Sequence, residues 1–133
     1  MRKLLPVAAF IVFLLAGCKS DDTLGAKIKD IDFTIVSPNE IQQEIKELVE
    51  ERQSKPFKLT YSDGDYLYIV VGYGEQATGG YSITVGDLYL AENGIYVETN
   101  LVGPSKDDVP AEAPSYPYIV IKTTNMDKVV IFN

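Results

Sequence analysis

The run Tyr66-Leu67-Tyr68-Ile69-Val70-Val71 is apolar on both faces of an extended chain, and no other stretch constrains the fold as strongly. A strand of that kind belongs in the centre of a sheet, because an edge or a wetted face would leave one set of side chains in water. Most of the chain after Lys55 follows the same extended logic. Strands at 57–61 and 66–73 flank Ser62-Asp63-Gly64-Asp65, whose Asp-Gly pair signals a hairpin turn. Tyr81, Ile83 and Val85 alternate with Ser82 and Thr84, but beyond Gly86-Asp87 the apolar phase moves to Leu88 and Leu90, as a β-bulge would move it. Asn93-Gly94 turns the chain into 95–101, with Ile95, Val97 and Leu101 inward, and strands at 118–122 and 128–132 follow, separated by 123–127.

Upstream, 28–36 places Ile31, Phe33 and Ile35 on one side and Asp30, Asp32 and Thr34 on the other, the pattern of a half-buried strand. Ser37 stands as an N-cap, with Pro38 at the first helical position and Glu40 placed to complete a capping box. Ile41, Ile45, Leu48 and Val49 then recur at helical spacing, so 37–53 reads as one amphipathic helix. The expected fold class is α+β, with this helix packed on a mostly antiparallel β-sheet of six or seven strands.

The N-terminal segment is of another kind. Arg2 and Lys3 precede an uncharged apolar run at 4–14, too short to span a bilayer as a helix, and Leu15-Ala16-Gly17-Cys18 closes it. This resembles the bacterial lipoprotein signal, matched at all four positions of its lipobox. The resemblance implies cleavage before Cys18 and acylation of its thiol, giving a signal peptide at 1–17, an acylated cysteine with a short tether at 18–26, and a single domain at 27–133. Each buried methylene contributes about 0.8 kcal/mol, so palmitate-length acyl chains would hold the mature protein at a membrane surface. The expected location is the cell membrane or outer membrane, lipid-anchored and extracytoplasmic.

Removing Arg2 and Lys3 from the 12 basic residues leaves 10 against 19 acidic ones. That charge excludes nucleic acid and anionic head groups as natural partners. Cys18 is the only cysteine and histidine is absent, which removes an intramolecular disulfide, a Cys-x-x-Cys pair, histidine-ligated metals, and Ser-His-Asp or Cys-His catalysis. No cofactor or metal is expected. The stretch 72–80 is glycine-rich but lacks the Lys-Ser/Thr of a phosphate loop and lies between strands. Asp63 and Asp65 offer oxygen ligands at alternate positions, yet a tight turn accounts for them without calcium. Asp107, Asp108 and Glu112 fall in a proline-containing loop and read as solvated charge.

Read in order, Thr78-Gly79-Gly80-Tyr81, the Asn93-Gly94 hairpin, a loop opening at Pro104, and Ser115-Tyr116-Pro117-Tyr118 before Ile119-Val120-Ile121 resemble the PrcB C-terminal domain family over 67–121. That family takes its name from a lipoprotein subunit of a secreted bacterial protease complex. The resemblance implies a non-catalytic lipoprotein that binds or stabilises an exported protease or another envelope protein. Nine tyrosines without tryptophan suit a recognition surface of large contact area. Tyr73, Tyr81, Tyr116 and Tyr118, which flank the two family motifs, are the candidate contact patch, with Thr78, Gly79, Gly80 and Pro117 beside them. The structural alternative is that Thr78-Gly79-Gly80 and Pro117 only shape the chain where strands meet. Two other functional classes stay open at this point: a carbohydrate or cell-wall binding module using tyrosine faces, and a carboxylate-based wall hydrolase using an acid such as Asp63 or Asp107.

Overall fold

A computed structural model describes residues 26–133 of the chain. The expected signal peptide and Cys18 lie outside the described residues.

Eight strands form two four-stranded sheets, not one sheet of six or seven. The strands are β1 (Lys27–Asp30), β2 (Thr34–Ile35), β3 (Pro56–Ser62), β4 (Tyr66–Tyr73), β5 (Ser82–Ala91), β6 (Gly94–Val102), β7 (Tyr118–Thr124) and β8 (Val130–Phe132). One sheet has the order β1-β5-β6-β8 and the other β2-β7-β4-β3. Pairing is antiparallel except between β6 and β8. The α+β expectation is therefore corrected to a mostly β architecture of two sheets with one α-helix, α1 (Gln43–Arg52).

Burial explains why one sheet would not suffice. A helix about 10 Å wide covers only two or three strands spaced about 4.8 Å apart. Ile45 and Val49 of α1, with Ile41 before it, bury Tyr68 and Val70 of β4 and Val120 of β7. The opposite faces of those strands, Leu67, Ile69 and Val71 with Ile119 and Ile121, still need cover. They meet Leu88, Ile95 and Val97 of β5 and β6 in a second cluster between the sheets. Tyr66 to Val71 is thus central as expected, with Ile69 and Val70 fully buried on opposite faces.

The alternating segment 28–36 is not one strand. β1 pairs with β5 and β2 pairs with β7, so the chain changes sheets between Asp30 and Thr34. Ile31 is buried in the core between the sheets, whereas Ile35 remains half exposed. The hydroxyl of buried Thr123 donates to the Asp32 carbonyl at 2.8 Å and holds the crossover.

The expected helix at 37–53 is also shorter. Pro38–Glu40 forms a 3₁₀ turn, Ile41 returns to extended backbone, and α1 begins only at Gln43. Ser37 makes no side-chain cap; its carbonyl accepts from the Glu40 N–H at 2.8 Å. The interruption lets Ile41 turn into the helix-side core and lets the Gln42 amide donate to the Tyr68 hydroxyl at 3.0 Å.

The remaining turns follow the sequence closely. The register of β5 on β6 shifts between Val85 and Asp87, at the expected bulge. Ala91 pairs with Gly94, so Glu92 and Asn93 make the turn, one residue earlier than expected. Gly94 is needed for close approach, since a methyl group there would lie 2.8 Å from the Val129 carbonyl oxygen.

Candidate functional site

At one end of the two sheets, two loops close on each other. The loop after β4 and the loop before β7 meet where Gln76 and Ser115 exchange both main-chain hydrogen bonds, at 2.8 and 3.0 Å. Thr78, Gly79 and Gly80 extend this closure. The Thr78 carbonyl accepts from the Ser115 hydroxyl at 2.7 Å, and the Gly79 N–H donates to the Ala111 carbonyl at 3.0 Å. Gly80 has φ +88°, and a methyl group there would lie 3.0 Å from Pro104 Cβ and 3.3 Å from Pro110 Cβ. Tyr81 is half buried, its ring next to Gly103. These residues join the acidic loop 103–115 to the glycine loop, with the Thr78 carbonyl and the Gly79 N–H bonded across the closure.

The predicted tyrosine patch is divided. Tyr73 packs against the core between the sheets, and its hydroxyl shares a 2.6 Å hydrogen bond with that of Thr99. It lines a groove of about 500 Å³ with Phe57, Val71 and Thr99. Tyr116, Pro117 and Tyr118 line a different groove of about 380 Å³, whose other walls are Ile35, Val36, Pro38, Ile41 and Ile83. So Tyr116, Pro117 and Tyr118 come together, while Tyr73 faces elsewhere.

This second groove is apolar and open. Ile35 is 50 % exposed and Tyr116 36 % exposed, against 7 % or less for every residue of the two buried clusters. Burial pushes the pKa of the Tyr118 hydroxyl up and so disfavours its ionisation, and the charge of Glu50 adds to the shift. Sequence reading missed Ile35, Val36, Pro38, Ile41 and Ile83 as lining residues. Their pattern is that of ordinary strand and helix core, and only the change of sheet at Asp32 brings them to Tyr116.

Asp63 is occupied by its own turn. Its Oδ1 accepts the N–H groups of Tyr66 at 2.8 Å and Asp65 at 3.1 Å, and the bond from Tyr66 is the main cause that holds its carboxyl below the ordinary range. Asp108 likewise accepts the Ser105 N–H at 2.8 Å. Among the described residues, no three His, Cys, Asp or Glu side chains converge to hold a metal ion.

Residues 67–124 match the family model described as PrcB C-terminal, so this segment is of that family. The match runs from β4 through β7 and ends three residues beyond the expected 121. No curated protein and no solved structure matches the chain. One wall of the Tyr116 groove therefore comes from the family segment, and the Ile35 to Ile41 wall from outside it.

Proposed function

We propose, from the PrcB C-terminal segment as premise, that this chain is a membrane-anchored lipoprotein acylated at Cys18. It acts as a non-catalytic binding or stabilising subunit for an exported protease or another envelope protein. The observation that carries this reading is the open groove built on Tyr116-Pro117-Tyr118. It joins a family motif to an apolar wall that nothing else among the described residues covers.

The lining suits contact better than bond making. Its residues are aliphatic, proline or tyrosine, and they supply apolar area with the two tyrosine hydroxyl groups as their polar atoms. The carbohydrate-binding alternative gains less support. It needs several free tyrosine faces, whereas Tyr89 and Tyr96 stack on each other at 5.2 Å and Lys122 sits 4.1 Å over Tyr66.

The test is capture of the partner from native membranes by the full chain and by Tyr116→Ala. Capture weakened without a change in the circular dichroism spectrum supports the reading; undiminished capture removes Tyr116 from the contact surface.

A further inference from the structure

The groove at Tyr116 lies along an unfinished sheet edge. Just before β7, the Pro117 carbonyl accepts from Tyr73 N–H at 3.0 Å and Ser115 is bonded to Gln76, so the main-chain groups of odd-numbered residues 115–121 face β4 and its loop. Even-numbered residues face the other way, toward β2. There the Val120 carbonyl accepts from Val36 N–H at 2.9 Å, and Thr34 stands opposite Lys122. After Val36 the chain leaves the sheet at Ser37-Pro38, because the fixed φ of Pro38 starts the 3₁₀ turn. Strand β2 ends at Ile35 opposite Ile121, three residues short of the start of β7 at Tyr118. Among the described residues, no main-chain group pairs with Tyr118 or Tyr116 on this side.

Both faces of this open edge are apolar. Ile83 and Ile119 belong to the core between the sheets, with Ile35 opposite Ile121 of that core; Ile41 and Tyr118 belong to the helix-side core, and Pro38 lines the groove beside them. Two carboxylates stand near the helix-side face. Glu50 acts on Tyr118, and Glu40 borders the adjoining cavity that shares Val36 and Ile41 with the groove.

We propose that the β7 edge at Tyr116 and Tyr118 takes an extended segment of the partner polypeptide as an added strand, apolar at successive positions and flanked by a basic residue. The hydrogen-bonding edge demands a backbone that offers alternating N–H and C=O groups, which an extended peptide supplies and a folded apolar surface does not. Successive apolar residues fill the two faces in turn, because adjacent side chains of a strand point to opposite sides. The carboxylates complement the basic end. This inference rests on the subunit reading and names what the partner presents.

The test uses the full chain in detergent and a synthetic peptide, acetyl-Lys-Val-Ile-Val-Lys-amide. Methylating the amides on one edge of the peptide removes donors without changing its side chains, and is expected to weaken binding about tenfold when that edge faces β7. The bound peptide should slow hydrogen exchange at the Tyr116 and Tyr118 amides. Tyr116→Pro, which removes an edge-facing donor, should bind more weakly than Tyr116→Ala, and Glu50→Gln should reduce the sensitivity of binding to salt. Binding indifferent to amide methylation on both edges, or no change in exchange at those amides, overturns the proposal. So does protection already present in the free protein through a second copy. Recovery of an exported protein from membranes despite these negative results removes strand addition and leaves the subunit reading. Peptide binding with no protein recovered removes the subunit reading and leaves the edge.

Discussion

The side-chain amide of Gln76 donates to the carbonyl oxygen of Tyr73 at 3.2 Å. In an unbroken ladder that carbonyl would accept from the residue at position 117, which already takes the Tyr73 N–H at 3.0 Å, but Pro117 has no N–H to give. Gln76 supplies the missing donor from a loop that its own main chain ties to Ser115.

Gln76→Ala should therefore lower stability by about 1 kcal/mol, since a part-buried carbonyl loses its protein partner. The cost should shrink in a Pro117→Ala background, where a main-chain N–H can take over. Urea midpoints of the four proteins in a double-mutant cycle check this.

Gly80→Ala should cost about 1–2 kcal/mol, because φ +88° disfavours a side chain and the new methyl meets Pro104. The loss should be local as well as global. Hydrogen exchange should quicken at Gly79 N–H, which bonds the Ala111 carbonyl.

Ile45 is fully buried between α1 and the outer face of β4. Ile45→Ala should cost about 2–5 kcal/mol. Leu48→Ala, on a half-buried position of the same helix, should cost less. Thermal or urea unfolding of the two variants decides the order.

The carboxyl of Asp63 is held below its ordinary 3.8 chiefly by the Tyr66 N–H. A depressed folded-state value means that its contribution is present above the unfolded value and is lost as pH falls through the folded one. Asp63→Asn should flatten the decline in urea midpoint below about pH 4. An unchanged acid limb would contradict that role.

Local features were legible in the sequence where adjacent residues determine them. Tyr66 to Tyr73 reads as a doubly apolar strand because both of its faces are covered, and the change of phase at Gly86 is the bulge itself. The change of sheet was hidden. Alternation from Ile28 to Ile35 is the same whether one sheet or two receives the strand, and only Thr123, distant in sequence, bonds Asp32 at the crossover. The 3₁₀ turn was hidden for a related reason: Ser37, Pro38 and Glu40 suit a helix start, but Ile41 gains more by turning into the core beside Tyr68. Of the candidate site, Tyr116-Pro117-Tyr118 was legible as a unit. Ile35 and Ile83, which face it, look like any strand core until the sheets are assembled.

Binding of an envelope protein at the groove between Tyr116 and Ile35, as proposed above, can be tested on the intact chain. The most direct measurement is crosslinking mass spectrometry on the acylated chain captured from its native membranes, beside a Cys18→Ala control. One exported protein is expected in stoichiometric amount, crosslinked next to the groove and lost when Ile83→Asp places a charge in its wall. Recovery of no protein with the wild-type chain, or crosslinks only at the separate groove lined by Tyr73, Phe57 and Thr99, would contradict it.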